Sequence, residues 1–204
     1  MTSDTDHNID AAEVARFAAQ AQMWWDTRGK YKALHQINPV RTAYVQLRAG
    51  LAGRAVADVG CGGGLLSESM AMAGARVTGI DMAEPSLAVA RDHARQNGLS
   101  IDYRCSTAEQ WAGQHPGGFD VVTCMELVEH VPDPGSLIRA CAALARPGGH
   151  IVLATVNRTG LSGDELPALE RAVQDAGDLG VQVGEEVVQA HAASTRARLP
   201  SDLA

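Results

Sequence analysis

Asp58-Val59-Gly60-Cys61-Gly62-Gly63-Gly64 is the stretch on which the fold turns. It closes the short apolar run 54–59 and precedes Leu65, Leu66, Met70 and Met72, apolar residues at helical spacing that end at Gly74. A strand, a glycine turn and a helix in about twenty residues form the opening unit of an open α/β sheet.

Outward from that loop, strand and helix alternate. Residues 75–80 read as a strand ending at Asp81, and 87–96 as a helix closed by Asn97-Gly98. A third strand is expected over 101–105, a short helix over 108–112, and a fourth strand, apolar on both faces, over 119–124. Asp133 can cap a helix running to Ala145, Arg146-Pro147-Gly148-Gly149 turns the chain, and 150–156 supplies a fifth strand. Strands separated by helices require crossover connections. The expected fold is therefore α/β, a doubly wound, mostly parallel sheet covered on both faces.

The ends read differently. Residues 1–50 form an N-terminal helical extension that holds Trp24, Trp25, Tyr31 and Tyr44, and 51–158 form the core. Residues 159–204 are a divergent tail without aromatic residues, Ile, Met, Cys, Asn or Lys. In that tail 165–176 and 185–193 read as helical and 181–183 alternates weakly, which leaves the fifth strand an unpaired, apolar edge.

Composition narrows the function. The 204 residues are 46% hydrophobic and 20% charged, enough for a full core, and the net charge of −7 offers no basic footprint for nucleic acid. No leader-like or membrane-spanning apolar stretch is present, so the chain is read as cytoplasmic. Cys61, Cys105, Cys124 and Cys141 are widely spaced, without a C-x-x-C pair, and are read as reduced thiols.

A glycine turn after the first strand lets a ligand approach the backbone. The dinucleotide pattern G-x-G-x-x-G counted from Gly60 fails at Leu65, and the Lys and hydroxyl residue of a phosphate-binding loop are absent. Asp58, two residues before Gly60, suits a cationic ligand better than a diphosphate. Asp81, at the end of the second strand, stands where a carboxylate accepts ribose hydroxyls, with helix capping as its alternative role.

The loop resembles motif I of the class I, Rossmann-like methyltransferases, which implies S-adenosyl-L-methionine as donor. The resemblance extends through Trp24-Trp25-Asp26, Leu34-His35-Gln36-Ile37-Asn38-Pro39-Val40-Arg41 and Val121-Val122-Thr123-Cys124-Met125-Glu126-Leu127-Val128-Glu129-His130-Val131-Pro132-Asp133-Pro134. Across residues 7–158 the chain resembles the ubiquinone-biosynthesis O-methyltransferase family, whose members methylate ring hydroxyls of polyprenylated catechol and quinol intermediates. The resemblance implies donor contacts at Arg41, Gly60, Asp81 and Met125. An Arg fork fits the methionyl carboxylate and a Met wall fits adenine. Asp58, Cys61, Gly62 and Met82 complete the expected loop contacts, and Ser106, Thr107 and Ala108 are candidates for the adenine edge.

The resemblance also implies a C-terminal strand hairpin, which is not found in 159–204, and leaves open a peripheral contact with the inner membrane or a biosynthetic complex. Another small acceptor, or a donor-binding chain without activity, is the alternative.

Glu126, Glu129 and His130 carry the expected chemistry. At i, i+3 and i+4 they share a helical face and are spaced for a divalent cation such as magnesium, which would lower the pKa of a catechol hydroxyl. Alternatively His130 or Glu126 is a general base, or the segment is simply a capped turn.

Overall fold

The structure is a computed structural model. It describes residues 8–154, Gln174, Gly177 and the backbone of 182–186. Strand β1 (Ala55–Val59) is central, with helix α3 (Leu65–Met72) following it across the glycine loop. Then come β2 (Arg76–Asp81), α4 (Glu84–Gln96), β3 (Asp102–Cys105), α5 (Ala108–Gln114), β4 (Phe119–Met125), α6 (Pro134–Leu144) and β5 (Ala145–Ala154). Helices α1 (Ala11–Ala19) and α2 (Lys32–Ala49) precede the sheet, and β6 (Gln182–Glu186) is its last strand among the described residues.

The sheet order is β3-β2-β1-β4-β5-β6, and every pairing is parallel. Alternation along the strands divides the core between the two faces. Ala57, Val59, Val122, Cys124, Ile151 and Leu153 point to α5 and α6. Val56, Val121 and Val152 meet Val45 of α2 and Leu66 and Met70 of α3 on the other. The N-terminal extension thus supplies core residues. Its first helix is capped by Asp10, whose carboxylate accepts from the amides of Ala12 and Glu13. Thr107 and Asp133 cap α5 and α6 in the same way.

Two expectations for the tail change. The edge of β5 is paired: His150 to Ala154 run beside Gln182 to Glu186 in parallel. Glu185 and Glu186, expected to start a helix, lie in this strand. Of the other tail expectations, 165–176 is described only at Gln174, and 187–193 and the remaining places for a hairpin lie outside the described residues. All four cysteines are free thiols, Cys105 exposed and the others buried.

Candidate functional site

The strands order the site. Successive strands are laid down to one side from β1 to β3 and to the other from β4 onward, and a crevice opens between β1 and β4 at the carboxyl ends of the strands. A cavity of about 430 Å³ occupies it. Its floor contains Asp58 near the end of β1 with Gly60, Cys61 and Gly62 after it, and Asp81, the last residue of β2, with Met82. Ser106, Thr107 and Ala108 after β3 form the sides together with Met125, the last residue of β4, and Glu126, Glu129 and His130 after it. Arg41 reaches in from α2. Every residue expected from the sequence to touch the donor or to carry the chemistry therefore lies on one cavity.

The loop's hydrogen bonds say what it can hold. The amides of Gly60 and Cys61 both donate to the carbonyl of Ile80, at 2.8 and 3.2 Å, and that of Gly64 to Cys61. Asp81 Oδ2 accepts the Gly62 amide at 2.8 Å and Oδ1 accepts that of Ala83 at 2.8 Å. Most loop donors are thus spent inside the protein, so the loop is a poor cradle for phosphate. Gly60 has φ +75°, and a Cβ there would lie 2.9 Å from Cδ2 of Leu127. Glycine is needed for both the turn and the close approach. Asp81 orders the loop as well as facing the cavity, and burial raises its carboxyl above the ordinary range.

Asp58 is buried beneath the loop. Its oxygens accept from Ser67 Oγ at 2.5 Å and Thr123 Oγ1 at 2.7 Å. Burial, against the pull of those two hydroxyls, pushes its pKa up to about 6. A cation in the cavity would stabilise its ionised form.

Arg41 is only 8% exposed. Asn38, one turn earlier on α2, donates to the Leu65 carbonyl at 3.1 Å and to Ser69 Oγ at 2.7 Å, which fixes α2 on α3 and aims Arg41 inward. Its guanidinium pairs with Glu126, while its buried Nε has no hydrogen-bond partner among the described residues. An orphaned donor on a buried guanidinium fits a ligand carboxylate. Ser106 Oγ donates to the Thr107 carbonyl at 3.0 Å, and Met125 is half-buried on the rim.

Glu126, Glu129 and His130 require a correction. The helical turn covers only Val128–His130, and Glu126 has φ +56°, the left-handed region, so the expected common helical face does not form. Glu126 turns to Arg41, and His130 Nδ1 lies 2.9 Å from Glu13 Oε2. Among the described residues no three His, Cys, Asp or Glu side chains come together to hold a metal ion. The donor set as arranged does not fit a divalent cation, although both Glu129 oxygens are buried without hydrogen-bond partners.

The fourth wall was not foreseen. Glu13, Val14 and Phe17 of α1, with Trp24 and Tyr31, close the cavity from the N-terminal side. Trp24 stacks on Tyr31 at 4.2 Å and donates to Ser86 Oγ at 3.2 Å, so it packs as a wall. Trp25 donates to the Gly63 carbonyl at 3.0 Å and stacks on His93 at 3.4 Å. Nothing in the sequence matched α1 to His130.

Residues 57–153 match the family described as a methyltransferase domain. The core is a class I methyltransferase fold. The ubiquinone biosynthesis O-methyltransferase of Pseudomonas paraeruginosa is 59% identical over 151 residues, 74% of this chain and 65% of that one. The protein of that name from Cronobacter sakazakii is 56% identical over 157 residues, 76% and 65% of the two chains. The present chain thus spans about 65% of the length of these relatives. Among solved structures, magnesium protoporphyrin IX methyltransferase from Synechocystis with bound SAM aligns with a TM-score of 0.64 at 22% identity, over 80% of each chain. The [4+2]-cyclase SpnF aligns with a TM-score of 0.57 at 27% identity, over 68% of this chain and 57% of that one. A fold shared with a cyclase does not choose the reaction; the site must.

Proposed function

We propose that the chain is an S-adenosyl-L-methionine-dependent O-methyltransferase that methylates a ring hydroxyl of a polyprenylated catechol or quinol, as in ubiquinone biosynthesis. The observation that carries this reading is the 59% identity over 151 residues, which takes in the donor side of the cavity. The donor supplies an electrophilic methyl group on a sulfonium.

The chain's residues prepare the site for it. Arg41 binds the methionyl carboxylate, Asp81 the ribose, Met125 the adenine face, and Ser106 to Ala108 the adenine edge. Asp58 and the loop residues Gly60, Cys61, Gly62 and Met82 hold the cationic end. His130 takes the hydroxyl proton, because imidazole is a competent base for a phenol at neutral pH. The apolar side chains of Val14, Phe17, Leu34 and Val131 on the cavity wall suit an aromatic acceptor.

A second reading assigns Glu129 to a divalent cation, favoured by its two buried, unpartnered oxygens. It requires Glu126 and His130 to leave Arg41 and Glu13. Calorimetry with donor, then methyl transfer to a short-chain catechol with and without chelator, tests both. Binding and chelator-insensitive transfer, lost in His130→Ala, supports the base; chelator-sensitive transfer supports the cation. Binding without transfer would favour an inactive donor-binding chain. Among the described residues no helix is long and apolar enough to cross a membrane.

A further inference from the structure

His130 is held from one side by a single helix. Its Nδ1 is 2.9 Å from Glu13 Oε2, and Phe17, one turn further along α1, meets the imidazole edge-on at a centroid distance of 5.3 Å and 74°. Both members of the pair line the cavity and are about three-quarters covered, at 26% and 28% side-chain exposure. Glu13 also holds Arg16 on its own helix. Upstream, the Asn8 amide donates to Glu109 Oε1 at 2.7 Å and to the Asp133 carbonyl at 2.9 Å, and the Asp133 amide donates back to Asn8 Oδ1 at 2.7 Å. These bonds pin the start of α1 to α5 and α6, beside the turn that carries His130.

A carboxylate on Nδ1 selects the tautomer with its proton there, leaving the Nε2 lone pair for other chemistry. We propose that Glu13 is a positioning residue that fixes His130 in this tautomer and turns Nε2 to the acceptor, so the N-terminal helix completes the reacting side of the site. The inference rests on the reading of His130 as base given above. The proton leaves the acceptor hydroxyl for Nε2 as the oxygen's electron pair forms the new O–C bond. The pair of the broken S–C bond stays on sulfur, and the Glu13 carboxylate balances the imidazolium that results.

The test reads the tautomer directly. In protein labelled with 15N-histidine, long-range 1H–15N correlations at alkaline pH report which ring nitrogen carries the proton, and the His130 signal is assigned by its loss in His130→Gln. The native chain is expected to show Nδ1–H. Glu13→Gln, whose amide oxygen can still accept, keeps it, whereas Glu13→Ala shifts His130 towards Nε2–H. In parallel, Glu13→Ala lowers kcat about 10- to 100-fold with donor affinity unchanged, and Glu13→Gln recovers part of the loss. An unchanged tautomer in Glu13→Ala overturns the inference. Absence of methyl transfer by the native chain would overturn the reading of the reaction, while the tautomer still decides the Glu13 contact.

Discussion

Asp58 shows how a buried side chain ties stability to pH. Its carboxyl rises from an ordinary value of 3.8 to about 6 because burial outweighs the Ser67 and Thr123 hydroxyls. The folded state therefore holds this proton more tightly than the unfolded chain. The stability it contributes is complete below about pH 4, declines as pH rises through about 6, and is absent above that. Asp120, held below the ordinary range by the Ala55 amide and Arg146, acts in the opposite sense, so the expected quantity is a difference between proteins. Asp58→Asn should gain stability relative to the native chain between about pH 4 and about pH 6.5, by on the order of 2 kcal/mol. Denaturant titrations of both proteins across that range measure it, and parallel pH curves would show that Asp58 stays ionised. Arg41 answers a question of binding instead. Arg41→Ala should weaken donor binding about 10- to 100-fold by calorimetry, the value of a charge-assisted contact, and Arg41→Lys should fall between because it lacks the fork. Equal donor affinity in all three would remove Arg41 from the donor site.

At the level of elements, the glycine loop and the segment ahead of α2 depend on each other. A Cβ on Gly62 would lie 2.4 Å from Cζ2 of Trp24, and the residue has φ +52°. Gly62→Ala thus meets a steric cost and a backbone cost together. In a Trp24→Ala background the ring is gone and only the backbone part, about 1 kcal/mol, remains. The double-mutant cycle should show a coupling of about 1–3 kcal/mol in thermal or denaturant unfolding. Strict additivity would mean that the ring does not sit on the loop. The loop's glycines and the strand-helix rhythm from β1 to α6 were legible because periodicity and turn residues act locally. The turn at Glu126 was not legible: a left-handed glutamate has no sequence signature, and reading through it gave a helical face that does not exist. Glu13 was missed for another reason. Asp10 announces the start of α1, but which distant ring that helix meets is a matter of packing. Strand β6 reads Gln182-Val183-Gly184-Glu185-Glu186, with Val183 its one β-branched residue beside a central glycine and two acids, so its pairing comes from the waiting edge of β5 more than from its own pattern.

That edge sets the behaviour of the whole molecule. β5 is apolar and buried from Ile151 to Ala154, and β6 pairs with it over five residue pairs, from His150↔Gln182 to Ala154↔Glu186. Removing β6 would leave a long apolar strand with free amides and carbonyls at one margin of the sheet, a template for another chain. The described lining of the cavity gathers at the carboxyl ends of β1 to β4. Ending the chain at residue 180 should therefore separate two properties: donor binding persists, while the truncated protein self-associates as its concentration rises. The net negative charge, −7 in the full chain and little changed by the truncation, opposes that association through long-range repulsion, so added salt should strengthen it. Sedimentation velocity over a concentration series at low and high salt, beside donor calorimetry, measures both. A truncated chain that sediments like the full one under every condition would mean that something other than β6 shields β5. Loss of donor binding without association would mean that β6 holds the sheet in shape around the site rather than guarding its edge.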